Sequence, residues 1–73
     1  MLIHEFNKNS VEKVRVSLAE YRGHKLVDIR VYYKNDDNEF LHSRKGISLS
    51  LDLFPELWKG LEKARKRIES ENK

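Results

Sequence analysis

The side chains that could do chemistry in this chain are cations and phenols rather than nucleophiles. Arg15, Arg22, Lys25, Arg30, Lys34, Arg44 and Lys45 all fall between Arg15 and Ser50, where the acids are Glu20, Asp28, Asp36, Asp37 and Glu39. Asp36, Asp37 and Glu39 sit together in one polar run, so the rest of this span is locally basic. Tyr21, Tyr32 and Tyr33 are interleaved with the cations. That combination suits a single strand of nucleic acid, because cations track phosphates while rings stack on bases. The competing reading is a solvated sheet face, in which the same charges only face water.

Catalytic patterns are missing. His4, His24 and His42 are scattered, with no carboxylate or cysteine at the spacing a metal site needs, and the chain has no cysteine at all. Ser17, Ser43, Ser48 and Ser50 lack the glycine pattern of a nucleophile elbow. Asp28 stands two positions before Arg30 and shares its strand face, which suits a local pair that orients the arginine. The expectation is a binding protein with no catalytic residue, no metal and no cofactor.

The elements that must position the cations follow from the periodicity. Val14 to Tyr21 alternates, with Val14, Val16 and Leu18 on one side and Arg15, Ser17, Ala19 and Tyr21 on the other. Lys25 to Lys34 alternates again, with Val27, Ile29, Val31 and Tyr33 against Leu26, Asp28, Arg30 and Tyr32. Gly23 allows a tight connection between these strands, and Asn35-Asp-Asp-Asn supplies a second turn. Two shorter strands are expected over Glu39–Ser43 and Gly46–Leu51. Gly46 between them marks either a bulge or a close approach of ligand to backbone. Residues 1–13 form a peripheral segment in which Leu2, Ile3 and Phe6 either add a short strand or tuck under the sheet. After Leu51 the period changes: Leu57, Leu61, Ala64 and Ile68, with Phe54 and Trp58 beside them, describe an amphipathic helix, with Asp52 as its expected N-cap and Pro55 in its first turn.

Seventy-three residues make one domain, 1–73, whose lone core would be marginal. Without disulfides or a structural zinc, self-association is the remaining source of burial. The surplus apolar helix face of Phe54, Leu57, Trp58, Leu61 and Ile68 points to a homodimer interface. Fifteen Lys and Arg against twelve Asp and Glu give a net charge of +3, too small alone to define a nucleic-acid binder. No run approaches the roughly 18 apolar residues of a membrane span, and the N-terminus carries no signal-like apolar run. The expectation is therefore a soluble, intracellular protein with no membrane partner.

The stretch Tyr-Arg-Gly-His-Lys-Leu-Val-Asp-Ile-Arg from Tyr21, followed by Arg-Lys-Gly-Ile-Ser-Leu from Arg44, resembles the single-stranded-DNA-binding domain of the positive cofactor 4 family of transcriptional coactivators. The resemblance covers about Val14 to Ile68. It implies an α+β fold: a four-stranded curved antiparallel sheet followed by one C-terminal α-helix (ββββα), paired as a homodimer, with strand-lined channels for single-stranded DNA or melted duplex. By position it makes Tyr21 the stacking aromatic, Arg22 and His24 the basic residues beside it, Arg30 the sheet arginine, Tyr33 the second aromatic, and Arg44 and Lys45 the downstream pair. With Arg15 from the basic span, these are the candidate nucleic-acid-binding residues. His24 stands where the family usually has lysine, Leu41 where lysine is common, and Tyr33 in place of tryptophan. Tyr33 shares parity with the apolar residues of its strand, so it is either exposed by a bulge or twist or part of the core.

The expected function is sequence-tolerant single-stranded DNA binding, extending to melted duplex or RNA, in transcription regulation, replication or repair. The transcription machinery is a further expected partner. The alternative is a dimeric protein-interaction module whose basic sheet binds an acidic partner. The long serine- and acid-rich N-terminal region of eukaryotic members is absent. The resemblance therefore implies either a stand-alone prokaryotic or viral version, cytoplasmic and nucleoid-associated, or an excised nuclear domain.

Overall fold

The computed structural model describes residues 1–71. Four strands run in sequence order, β1 (Leu2–Asn7), β2 (Glu12–Tyr21), β3 (His24–Lys34) and β4 (Phe40–Ser50), followed by a 3-10 turn (Leu51–Leu53) and one helix, α1 (Phe54–Glu71). All neighbouring strands are antiparallel, in the order β1-β2-β3-β4, so β1 and β4 form the two edges of an open sheet.

The connections are set by side chains suited to turns. Asn9 Oδ1 accepts from the Val11 and Glu12 amides, both at 2.9 Å, between β1 and β2. Asn35 Oδ1 accepts from the Asp37 and Glu39 amides, both at 2.9 Å, between β3 and β4. The β2–β3 hairpin turns through Arg22 and Gly23, with φ of 51° and 80°. Two successive positive φ values describe the primed turn that matches strand twist, and Gly23 adopts its value without a Cβ clash.

The strand alternation sorts side chains cleanly. Val14, Val16 and Leu18 lie opposite Val31, Ile29 and Val27, while Arg15 and Ser17 lie opposite Arg30 and Asp28. The apolar face holds Val27, the one buried hydrophobic residue among those described. An apolar groove of about 410 Å³ opens between Ile3, Val16, Leu18 and Val27 of the sheet and Leu51, Phe54 and Pro55.

Of the two readings of residues 1–13 the added short strand holds: Leu2–Asn7 is β1, an edge strand paired with β2 and irregular between Leu2 and His4. Two sequence expectations change. The two short strands expected after the second turn are one strand, β4, interrupted by a bulge: from Gly46 to His42 it spends four residues where β3 spends two, from Arg30 to Tyr32. Asp52 does not cap the helix. It lies inside the 3-10 turn, whose cap is Ser50 with no side-chain hydrogen bond, and the Phe54 amide donates back to the Leu51 carbonyl. The helical backbone thus starts earlier, and Asp52 still places its charge in the first turn, where the helix dipole favours an anion.

No residue of α1 is buried. Among the described residues no helix is long and apolar enough to cross a membrane.

Candidate nucleic-acid interface

Tyr21 and His24 are partners at the last rung of the β2–β3 hairpin. Tyr21 is 62% exposed, and the Arg22 guanidinium sits 5.2 Å from its ring centroid. Its parity puts the ring on the polar face with Arg15, so a free aromatic stands at one end of that face with a cation beside it. His24 and Arg22 are exposed.

Arg30 lies at the centre of the face and is engaged by the protein itself. Its Nη2 meets Asp28 Oδ1 at 2.9 Å, its Nε contacts both Asp28 oxygens at 3.2 Å, and its Nη1 donates to the Ser43 carbonyl at 3.1 Å. The Asp28 carboxylate holds the guanidinium more firmly protonated than usual, against the smaller effect of desolvation. Arg30 therefore presents a fixed plane whose charge is partly neutralised.

Arg44 and Lys45 form the bulge of β4. Ser43 Oγ donates to the Val31 carbonyl at 2.8 Å and accepts from the Lys45 amide at 3.1 Å, which folds the extra residues back against β3. Gly46 closes the bulge opposite Arg30. A Cβ there would meet the Ile29 carbonyl oxygen at 2.5 Å and Arg30 Cα at 2.8 Å, so the close approach is to the backbone of β3. Both cations are exposed and neither joins an ion pair among the described residues. A bulge with cations also guards an open sheet edge against pairing with other strands.

The family model described as Transcriptional Coactivator p15 (PC4) matches residues 8–60. The chain belongs to the PC4 family. It is 42% identical over 62 residues to the RNA polymerase II transcriptional coactivator KELP of Arabidopsis thaliana, matching over 81% of its own length and 37% of that relative's. In structure it is similar to BPSL1147, a PC4 homologue from Burkholderia pseudomallei, with a TM-score of 0.82, 31% identity, and coverage of 89% of this chain and 88% of that one. It is also similar to the bacteriophage T5 homologue of PC4, a protein implicated in recombination-dependent DNA replication. That likeness has a TM-score of 0.66, 26% identity, and coverage of 99% and 78% of the two chains.

On this PC4-type sheet the candidate residues do not all come together. Tyr21, His24, Arg15 and Arg30 share the polar face, Arg22 lies in its hairpin turn, and Arg44 and Lys45 flank it on the β4 edge. Tyr33 lies on the other face, paired with Glu12 and Leu41 and 43% exposed at the sheet margin. It is neither core nor neighbour to Tyr21. Arg15 is held by Glu5 at 2.8 Å.

The sequence reading passed over a second aromatic group on the polar face. Tyr32 lies beneath the Arg15 guanidinium, 4.5 Å from ring centroid to Cζ, and edge-on to His42 at 6.3 Å. Phe40, opposite Lys34, carries Lys13 at 4.7 Å. The parity of β3 already put Tyr32 on this face. Phe40 needed the β3–β4 register, which depends on the turn. Glu5, bonded first by Arg15 and then by Lys13, has its carboxyl held below the usual carboxylate value. Among the described residues no three His, Cys, Asp or Glu side chains gather as for a metal ion.

Proposed function

We propose that the chain binds single-stranded DNA, with little regard to sequence, along the polar face of its sheet. The observation that carries this reading is the exposed Tyr21 ring on the same face as a row of cations, because a surface meant only for an acidic protein would need the charges but not the free ring. Arg22, His24, Arg44 and Lys45 supply phosphate contacts, and Arg30 is an oriented plane between the strands. The binding unit is a homodimer joined through Phe54, Leu57, Trp58, Leu61 and Ile68. It serves transcription regulation, replication or repair in the nucleoid or nucleus, in contact with the transcription machinery. Membership of the PC4 family supports the transcriptional role.

The test is fluorescence anisotropy with labelled oligo(dT) and with duplex of equal length, across a salt series. The expected result is tighter binding of oligo(dT), with log K falling linearly against log salt. Binding no tighter than to duplex would overturn the single-strand reading and favour an acidic protein partner.

A further inference from the structure

The end of the polar face away from Tyr21 gathers three cations on two rings. Lys13 Nζ lies 4.7 Å from the Phe40 centroid, and Lys34 Nζ and Arg15 Cζ lie at 6.0 Å from the same ring. Arg15 also covers Tyr32 at 4.5 Å. Glu5 is the carboxylate bonded to this group, reaching Lys13 at 3.3 Å and Arg15 at 2.8 Å, while Lys34 joins no ion pair among the described residues.

Three like charges around one ring repel each other. The negative ring face and one carboxylate offset only part of that repulsion. Such a group keeps a net positive charge and gains most from an anion. Tyr32 and Phe40 are half-buried beneath the cations, so their faces are already taken and a base has nowhere to stack. Phosphate is the chemistry left.

We propose that Lys13, Arg15 and Lys34, seated on Phe40 and Tyr32, form a second phosphate-binding station that receives the far end of a nucleic-acid strand engaged at Tyr21. This rests on the single-strand reading above. Tyr21 and Lys13 stand at opposite ends of β2, about 26 Å apart at roughly 3.3 Å per residue, so only a ligand several nucleotides long reaches both. Asp36, Asp37 and Glu39 lie in the adjoining turn, and none pairs with these cations among the described residues. A strand arriving from Tyr21 meets the cations first, and the acids mark where its path ends.

Lys34 is the residue to change, because it is exposed and unpaired and its loss leaves the Glu5 bonds intact. Anisotropy is measured for the parent, Lys34→Ala and Lys34→Arg with a short oligo(dT), sufficient for the Tyr21 end alone, and with one that spans the face. With the long oligomer, Lys34→Ala should lower affinity and flatten the slope of log K against log salt by about 0.7, and Lys34→Arg should restore both. With the short oligomer all three should bind alike. If the parent binds the long oligomer and Lys34→Ala leaves affinity and slope unchanged, the station is wrong while the single-strand reading stands. An equal loss with both lengths also overturns it, since that is the signature of overall charge. A parent that binds neither oligomer removes both proposals.

Discussion

In the proposed complex Tyr21, Arg44 and Arg30 would contribute to binding through different physics, and a salt series separates them. A ring stacked on a base releases no counterions, so Tyr21→Ala should lose about 1–3 kcal/mol of binding with the salt slope nearly unchanged. Arg44 has no ion-pair partner among the described residues, so Arg44→Ala should weaken binding and flatten the slope by about 0.7. Arg30 already spends its charge on Asp28 and its Nη1 on the Ser43 carbonyl. Arg30→Ala should therefore change the slope less than Arg44→Ala does and lower the melting temperature more. A folded Tyr21→Ala protein that binds as the parent does would remove the stacking role. Equal slope changes at Arg30 and Arg44 would show that Asp28 does not neutralise its partner.

At the scale of the element, the bulge in β4 is the device that puts Arg44 and Lys45 beside the polar face, and Gly46 is what lets it close. With the Ile29 carbonyl oxygen 2.5 Å from where a Cβ would stand, Gly46→Ala must push β4 away from β3. It should cost about 1–3 kcal/mol, read as a lower urea midpoint; an unchanged midpoint would mean that the edge strand yields freely. The same bulge explains what periodicity could and could not reveal. β2 and β3 follow strict alternation, so their spans and faces are visible in Val14–Tyr21 and Lys25–Lys34. β4 reads as two strands because Ser43, Arg44 and Lys45 interrupt its pattern. Since the bulge adds an even number of residues, Ile47 and Leu49 return to the same face as Leu41. In β1, the irregularity between Leu2 and His4 shifts parity within the strand, so Leu2, Ile3 and Phe6 never show a clean period. The Tyr32–Phe40 group was hidden for another reason: it depends on which residues face each other across a turn, and no single strand carries that information.

For the whole molecule, the dimensions are extended for a single chain of this length. The radius of gyration is 14.6 Å over extents of 43 × 35 × 18 Å, whereas a compact chain of this length would have about 11 Å. Val27 is the one buried hydrophobic residue among those described, while Phe54, Trp58, Leu61 and Ile68 are 38%, 54%, 49% and 58% exposed. Ordering each backbone residue costs about 1–2 kcal/mol, and one buried valine with a half-covered sheet face cannot offset that. The proposed second copy would, because a two-fold axis would set the same apolar helix face and the groove beside Phe54 and Pro55 against themselves. Light scattering at micromolar concentration should report twice the 8.7 kDa chain mass, and the melting temperature should rise with protein concentration, as it does when folding and association are one equilibrium. Leu61→Glu puts a charge into that face and should give a protein that is unfolded or monomeric, with oligo(dT) binding lost or weakened accordingly. A parent that scatters as a monomer and melts cooperatively at a temperature independent of concentration would overturn the dimer, and the exposed helix face would then need another occupant.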